Sequence, residues 1–150
     1  MESIVQDMLC WENLSVNTQI PELIVRPDYT QVFMFSAITW NRHHIHYNKD
    51  AALSEGLPDI VVQRALIGNF FARLITNWIG EIAELRRLTW KVTRSALPGK
   101  DIVCRGKIKE RMDSQNEKYL ICEATASNNN EELIASGDAM VVFTINHTAN

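Results

Sequence analysis

Residues 63–79 read QRALIGNFFARLITNWI, and this stretch decides the fold. Its apolar side chains recur at helical spacing around most of the helix axis. The polar residues leave only a narrow hydrophilic stripe: Asn69, Arg73, Thr76 and Asn77. A helix with so much apolar surface cannot lie on the outside of a domain, so we predict that other elements enclose it. No apolar run reaches the ~18 residues of a membrane span, and Gly80 can end the helix.

Segments in which apolar and polar residues alternate follow this helix and predict the strands that enclose it. The predicted strands lie at 88–93, 102–108, 120–126 and 133–145. Turn residues separate them at 98–100, 114–116 and 128–131. Because the connections are short and polar, the four strands predict an antiparallel meander.

The N-terminal half supplies the remaining elements. Residues 1–30 contain Pro21 and Pro27 and predict a partly irregular arm with a weak strand at 14–20. Residues 32–39 are β-branched and aromatic and predict a strand, whereas 48–53 predict a short helix. One early strand, a buried helix and a meander predict a single α+β domain over residues 1–150. An antiparallel sheet wrapped around a long helix is the layout of a hotdog fold, and its free sheet edge predicts a homodimer or a hotdog heteromer.

Composition excludes several classes of protein. The 150 residues include 15 basic and 18 acidic side chains, so the net charge is 15 − 18 = −3. Without a basic block, we expect no nucleic-acid partner. The three cysteines, Cys10, Cys104 and Cys122, form no CxxC pair and predict a reducing cytoplasm. Glu2 and Asp7 stand where a secretory signal has positive charge, so we expect neither export nor a membrane partner.

The segment Asn41–Tyr47, NRHHIHY, contains three of the four histidines. Because histidine titrates near neutral pH, it is a candidate general acid and base. Two other interpretations are possible. The segment could be a solvated loop, or it could bind a metal ion, because His43 and His46 have a possible ligand spacing. No cysteine or carboxylate lies within the segment, so we expect no metal there. Beside the start of the buried helix, His46 would face unpaired backbone N–H groups and the positive end of the helix dipole, as enolate chemistry requires.

Residues 35–50, FSAITWNRHHIHYNKD, and residues 58–67, PDIVVQRALI, resemble the MaoC-like hydratases and dehydratases. Within that family, the sequence is most similar to the branch of hydroxyacyl-thioester dehydratases type 2 and mesaconyl-CoA hydratase-like proteins. That branch shares an N-x-H-x-I-H-Y segment and a V-V-Q-G-P-L segment at the helix start. The order of strand, helix and meander extends the resemblance over nearly the whole chain.

The resemblance implies a lyase that reversibly hydrates a trans-2-enoyl thioester to a 3-hydroxyacyl thioester. The thioester would be attached to CoA or to an acyl carrier protein, and the reaction would need no metal or redox cofactor. The family motif is an aspartate followed, after four residues, by a histidine. His46 stands in the histidine position as general base and acid, and Asn41 stands in the carboxylate position.

The resemblance also implies an oxyanion hole at the start of the buried helix. The backbone N–H of Arg64, with Ala65 next to it, would bind the thioester oxygen. Three further residues would line the substrate site: His43, Gln63 and Tyr47.

Two positions depart from the family pattern. Asn41 can orient a water molecule but cannot take its proton, so His46 would act alone or with a carboxylate such as Asp50 or Asp59. Arg64-Ala65 replaces Gly-Pro, and the Arg64 side chain would either meet a substrate anion or fill the pocket. These departures leave two alternatives open, a non-catalytic hotdog subunit that completes a partner's pocket and an acyl-CoA thioesterase.

Overall fold

The computed structural model describes residues 10–114 and 117–143 of the chain. The described helices are α1 (Tyr29–Thr39), α2 (Lys49–Ser54) and α3 (Arg64–Ile79). The described strands are β1 (Gln19–Val25), β2 (Ala83–Val92), β3 (Ile102–Asp113), β4 (Lys118–Ser127) and β5 (Leu133–Phe143). Short 3₁₀ helices lie at Trp11–Asn13 and His44–His46.

The apolar stretch forms α3, and the sheet encloses it as the sequence predicts. Phe71 and Ile75 are 0% exposed, and they share one core with inward-facing residues of the sheet such as Ile108 and Leu120. The polar residues at 69, 73, 76 and 77 form the exposed side of the helix. The predicted α+β architecture, an antiparallel sheet around a long buried helix, is therefore confirmed.

The sheet has the order β1-β3-β4-β5-β2, and every neighbouring pair is antiparallel. The predicted meander is correct for β3, β4 and β5 but wrong for β2, which pairs with β5 instead of β3. The connection from β2 to β3 therefore joins two strands that have β5 and β4 between them in the sheet. Within the described residues, β1 and β2 are both edge strands, whereas we expected one free edge.

Residues 32–39 belong to α1, so the prediction of a strand there is wrong. The Asp28 side chain caps the helix by accepting a hydrogen bond from the backbone N–H of Gln31 (2.7 Å). Val32 and Ser36, one helical turn apart, are the buried residues of α1. A short apolar run fits a helix as well as a strand, and the cap at Asp28 was the signal that distinguishes them.

The first strand begins later than predicted, at Gln19 instead of residue 14. Asn17 has a positive φ of 71°, which makes a turn before the strand. Pro21 is accommodated because the pairing with β3 shifts register between Ile20 and Leu23. At the other end of the chain, β5 ends at Phe143, and the predicted continuation to residue 145 lies outside the described residues, as do residues 115 and 116 of the predicted turn.

Cys104 and Cys122 are core residues of the sheet. Burial raises the pKa of each thiol to about 12, so both stay protonated at neutral pH and behave as small apolar side chains. Cys10 is exposed. None of the described helices is long and apolar enough to cross a lipid bilayer.

Candidate active site

His46 lies at the end of the 3₁₀ helix between α1 and α2 and is 8% exposed. Its Nδ1 is 2.7 Å from the backbone carbonyl oxygen of Val61. The backbone N–H of Val61 donates in turn to the carbonyl of Ile45 (3.0 Å). These two hydrogen bonds hold the imidazole against the segment that leads into α3. Val61 lies three residues before Arg64, the first residue of that helix.

The contact with Val61 determines which ring nitrogen of His46 can act as a base. A carbonyl oxygen only accepts, so Nδ1 must hold a proton and Nε2 keeps its lone pair in the neutral ring. Burial lowers the pKa of His46, the hydrogen bond to the Val61 carbonyl opposes that effect, and the charge of His43 adds to the lowering. The neutral base form of His46 therefore dominates at neutral pH.

Asn41 follows the C-terminal end of α1, where Trp40 adopts a left-handed conformation with φ of 53°. The backbone N–H of Asn41 donates to the carbonyl of Ser36 (2.9 Å) and closes the last turn. Its Oδ1 accepts from the backbone N–H of His43 (3.2 Å). One acceptor position of the side-chain oxygen is therefore engaged, and the Nδ2 of Asn41 offers N–H donors to a ligand.

The start of α3 has no side-chain cap. Gln63 is the N-cap residue, but its side chain turns to α1, where Nε2 donates to the Val32 carbonyl (2.6 Å) and to Ser36 Oγ (2.8 Å). Gln63 Oε1 is buried without a partner among the described residues. Gln63 therefore ties α1 to the helix start, and the backbone N–H groups of Arg64 and Ala65 remain available at the positive end of the helix dipole.

The Arg64 side chain lies against β2. Its Nη2 donates to the backbone carbonyl of Trp90 (3.0 Å), and its guanidinium carbon is 5.9 Å from the centroid of the indole ring. Trp90 Nε1 donates back to the carbonyl of Arg64 (2.9 Å). The Arg64 guanidinium is therefore directed to the edge strand β2.

His43 and Tyr47 lie on either side of the buried imidazole in sequence and are more exposed than it. The ring centroids of His43 and His46 are 5.9 Å apart, and the Tyr47 hydroxyl donates to the carbonyl of Arg42 (2.9 Å). A groove of about 260 Å³ runs from Tyr47 along α1. Its lining residues are Phe33, Ser36, Ala37, Trp40, Asn41, Arg42 and Tyr47. The groove offers apolar space next to Asn41.

Of the carboxylates that the sequence offered as a substitute for the missing aspartate, Asp59 already has donors. Its Oδ2 accepts from the Tyr29 hydroxyl (2.8 Å) and pairs with Lys49 (3.5 Å), and its Oδ1 accepts from the N–H of Ile60 (2.8 Å). The hydrogen bond from Tyr29 keeps the pKa of Asp59 low. Asp50 lies in the first turn of α2 and is exposed.

Two contributors to this arrangement were absent from the predicted site. The Val61 carbonyl selects the tautomer of His46, and Trp90 binds the start of α3. Backbone carbonyls have no sequence signal. Trp90 and Gly68 are far apart in sequence, and their contact follows only from the packing of β2 against α3.

Comparison with known proteins gives a family model and a set of similar folds. The model described as hydroxyacyl-thioester dehydratase type 2 matches residues 13–98. The (R)-hydratase from A. caviae involved in PHA biosynthesis has a TM-score of 0.79 and 14% identity, covering 89% of this chain and 99% of that chain. The R-hydratase PhaJ1 from Pseudomonas aeruginosa, in the unliganded form, has a TM-score of 0.78 and 16% identity, with coverages of 88% and 83%.

The ChsH1–ChsH2 complex from Mycobacterium tuberculosis gives a TM-score of 0.77 at 17% identity, covering 87% of this chain and 98% of that chain. A search of curated protein sequences found no significant match. The structural likenesses confirm the hotdog fold that the order of helix and strands predicts.

The burial of His46 predicts a specific pH dependence of stability. Because its pKa is lower in the folded than in the unfolded chain, the unfolded chain binds more protons, and stability is lost as the pH falls below about 6.5. His46→Gln should flatten the decrease below about pH 6.5, whereas His44→Gln, at an exposed position, should preserve it. Urea unfolding measured across this range checks the prediction, and identical profiles for the wild type and His46→Gln would contradict it.

Proposed function

The chain belongs to the hydroxyacyl-thioester dehydratase type 2 family of MaoC-like hotdog proteins, and on that premise we propose that it reversibly hydrates a trans-2-enoyl thioester. The reverse reaction is the dehydration of the 3-hydroxyacyl thioester. CoA is the proposed thioester carrier, and an acyl carrier protein is the second carrier to be tested. The observation that supports this proposal most is the buried imidazole of His46, held in one tautomer beside the uncapped start of α3.

In the proposed hydration, the Nε2 of His46 removes a proton from water as the water oxygen bonds to C3 of the substrate. The π electrons of the C2–C3 double bond move to the thioester oxygen, and the N–H groups of Arg64 and Ala65 stabilise the resulting enolate. The protonated His46 then returns its proton to C2 as the thioester carbonyl reforms. No atom is left over, because water contributes one hydroxyl group and one proton.

Asn41 has a supporting role in this proposal. Its Oδ1 accepts from the N–H of His43, and in this proposal its Nδ2 donates to the oxygen of the water or of the departing hydroxyl group. A donor at this point orients the water but takes none of its protons, so His46 performs the acid and base steps alone. The groove along α1, which begins beside Asn41 and is lined by Phe33, Ala37 and Trp40, is the proposed place for apolar parts of the substrate.

Replacement of His46 tests the proposal. His46→Ala should lower kcat for crotonyl-CoA or a longer enoyl-CoA by roughly two to four decades, because a positioned acid and base contributes that much. His44→Ala, at the exposed end of the same 3₁₀ helix, should keep the wild-type rate. Loss of the enoyl absorbance without release of free thiol measures hydration.

Other outcomes of that assay point to other functions. Release of free thiol by the wild type would indicate a thioesterase. No turnover of any chain length on CoA or acyl carrier protein would favour a subunit that completes the pocket of a partner. Unchanged turnover in His46→Ala would remove His46 from the mechanism.

The role of Asn41 predicts a gain from the carboxylate that the family motif contains. In Asn41→Asp, one carboxylate oxygen can still accept the hydrogen bond from the N–H of His43, while the other can take a proton from the water. The value of kcat should therefore rise by about tenfold. Asn41→Ala, which removes both functions, is the matched control and should fall below the wild type. Initial rates with the same enoyl-CoA check this order, and an aspartate variant slower than the wild type would contradict the proposed role.

A second copy of this chain is the proposed partner. The outer side of α1 and its C-cap expose large apolar side chains, with Ile38 at 78% and Trp40 at 76%. The other members of this surface are Tyr29, Phe33 and Met34; Phe33 and Trp40 also line the groove, so this surface borders the proposed substrate site. An apolar surface of this kind is uncommon on a monomer, and the edges at β1 and β2 are also open in the described chain.

Light scattering tests this association. The wild type should have at least twice the mass of a single chain, and Ile38→Asp should shift the mass toward that of one chain because a carboxylate is costly to bury in an interface. Leu133→Asp alters an exposed leucine away from this surface, at the start of β5, and should leave the mass unchanged. A wild type that stays monomeric at all concentrations would contradict the proposal.

A further inference from the structure

The side chain of Trp90 fills a space between α3 and β5 that two glycines leave open. A Cβ added to Gly68 of α3 would lie 2.3 Å from the indole ring. A Cβ added to Gly137 of β5 would lie 2.9 Å from the Trp90 Cβ and 2.2 Å from the Thr89 carbonyl oxygen. Real Cβ atoms do not approach so closely, so the backbone on both sides leaves room for this side chain. The indole is therefore held between the helix and the sheet.

The indole of Trp90 is hydrogen-bonded to Arg64, the first residue of α3. Trp90 Nε1 donates to the carbonyl oxygen of Arg64 (2.9 Å), and Arg64 Nη2 donates to the carbonyl oxygen of Trp90 (3.0 Å). The two hydrogen bonds run in opposite directions between the same pair of residues. They join the start of the helix to the edge strand β2.

The peptide unit that accepts the indole N–H also contains the N–H of Ala65. A trans peptide is planar, so its C=O and N–H point in opposite directions and turn together. A hydrogen bond to the carbonyl of Arg64 therefore holds the direction of the Ala65 N–H. Hydrogen bonds in a chain also polarise one another, so an acceptor bond at the carbonyl strengthens the N–H as a donor.

We propose that Trp90 is a positioning residue, which orients and strengthens the Ala65 N–H as a donor to the thioester oxygen. This inference rests on the proposed hydratase function, because it assigns the Ala65 N–H to the enolate. Trp90 does not touch the substrate in this arrangement. It acts through the peptide unit between Arg64 and Ala65, and its ring stays in the space beside Gly68 and Gly137.

Trp90→Phe separates this role from simple packing. Phenylalanine keeps an aromatic ring beside Gly68 but has no N–H for the carbonyl of Arg64. Loss of the whole oxyanion donor costs about 10²–10³ in kcat, so loss of its support should lower kcat by about tenfold while KM changes less than about twofold. Trp11→Phe is the matched control, because Trp11 also donates its indole N–H, to Asp113 (2.8 Å), but is no part of the site.

A second readout does not depend on turnover. In protein labelled with ¹⁵N-alanine and free of ligand, the amide signal of Ala65 should move in Trp90→Phe and stay in place in Trp11→Phe. Gly68→Ala, which displaces the ring from the opposite side, should move the same signal and lower kcat similarly. This variant keeps the test open if Trp90→Phe does not fold.

The outcomes distinguish this inference from the proposed function. A lower kcat at constant KM, together with a moved Ala65 signal, supports the inference. An unmoved signal, or an equal loss of kcat in Trp11→Phe, overturns it. A wild type without hydratase activity overturns the proposed function and with it the link between Trp90 and the enolate, and the Ala65 signal then still shows whether the indole positions that amide.

Discussion

The enclosure of α3 by the curved sheet is the constraint on which the rest of the structure depends. The apolar side chains of the helix share one core with the inward-facing residues of the sheet, so its position along its axis is determined by packing in that core. Its first turn, by contrast, ends at the rim of that core, where no side chain caps the backbone N–H groups. Enclosure therefore places a rigid, positively polarised helix end where a ligand can reach it.

Hydrogen bonds connect this helix end to the three elements around it. Gln63 joins it to α1, Val61 joins it to the imidazole of His46, and Trp90 joins it to the edge strand β2. Each of these contacts uses a backbone carbonyl as the acceptor. Because the carbonyls move only with the backbone, they fix the geometry of the candidate site more firmly than contacts between flexible side chains would.

The departures from the family motif change the chemistry of the site without removing its framework. Asn41 keeps the position of the usual aspartate, but its amide has N–H donors and cannot take a proton, and its oxygen accepts from the N–H of His43. Arg64 keeps the backbone N–H that the proposal assigns to the oxyanion, and its guanidinium extends to the carbonyl of Trp90. The family and the fold are established for this chain, whereas the roles of these residues are proposals that the structure supports through their placement.

The sequence by itself determined the buried helix, the strands that follow it, the α+β class and the family, because periodicity and motif spacing are local properties of the chain. It did not determine that residues 29–39 are helical, since short apolar runs suit both helix and strand until a cap and a buried face decide between them. Only the tertiary structure decided that β2 lies beside β5, that Val61 selects the tautomer of His46 and that Trp90 binds the start of α3. These are contacts between residues distant in sequence and mostly with backbone atoms, which every residue possesses and no sequence pattern marks.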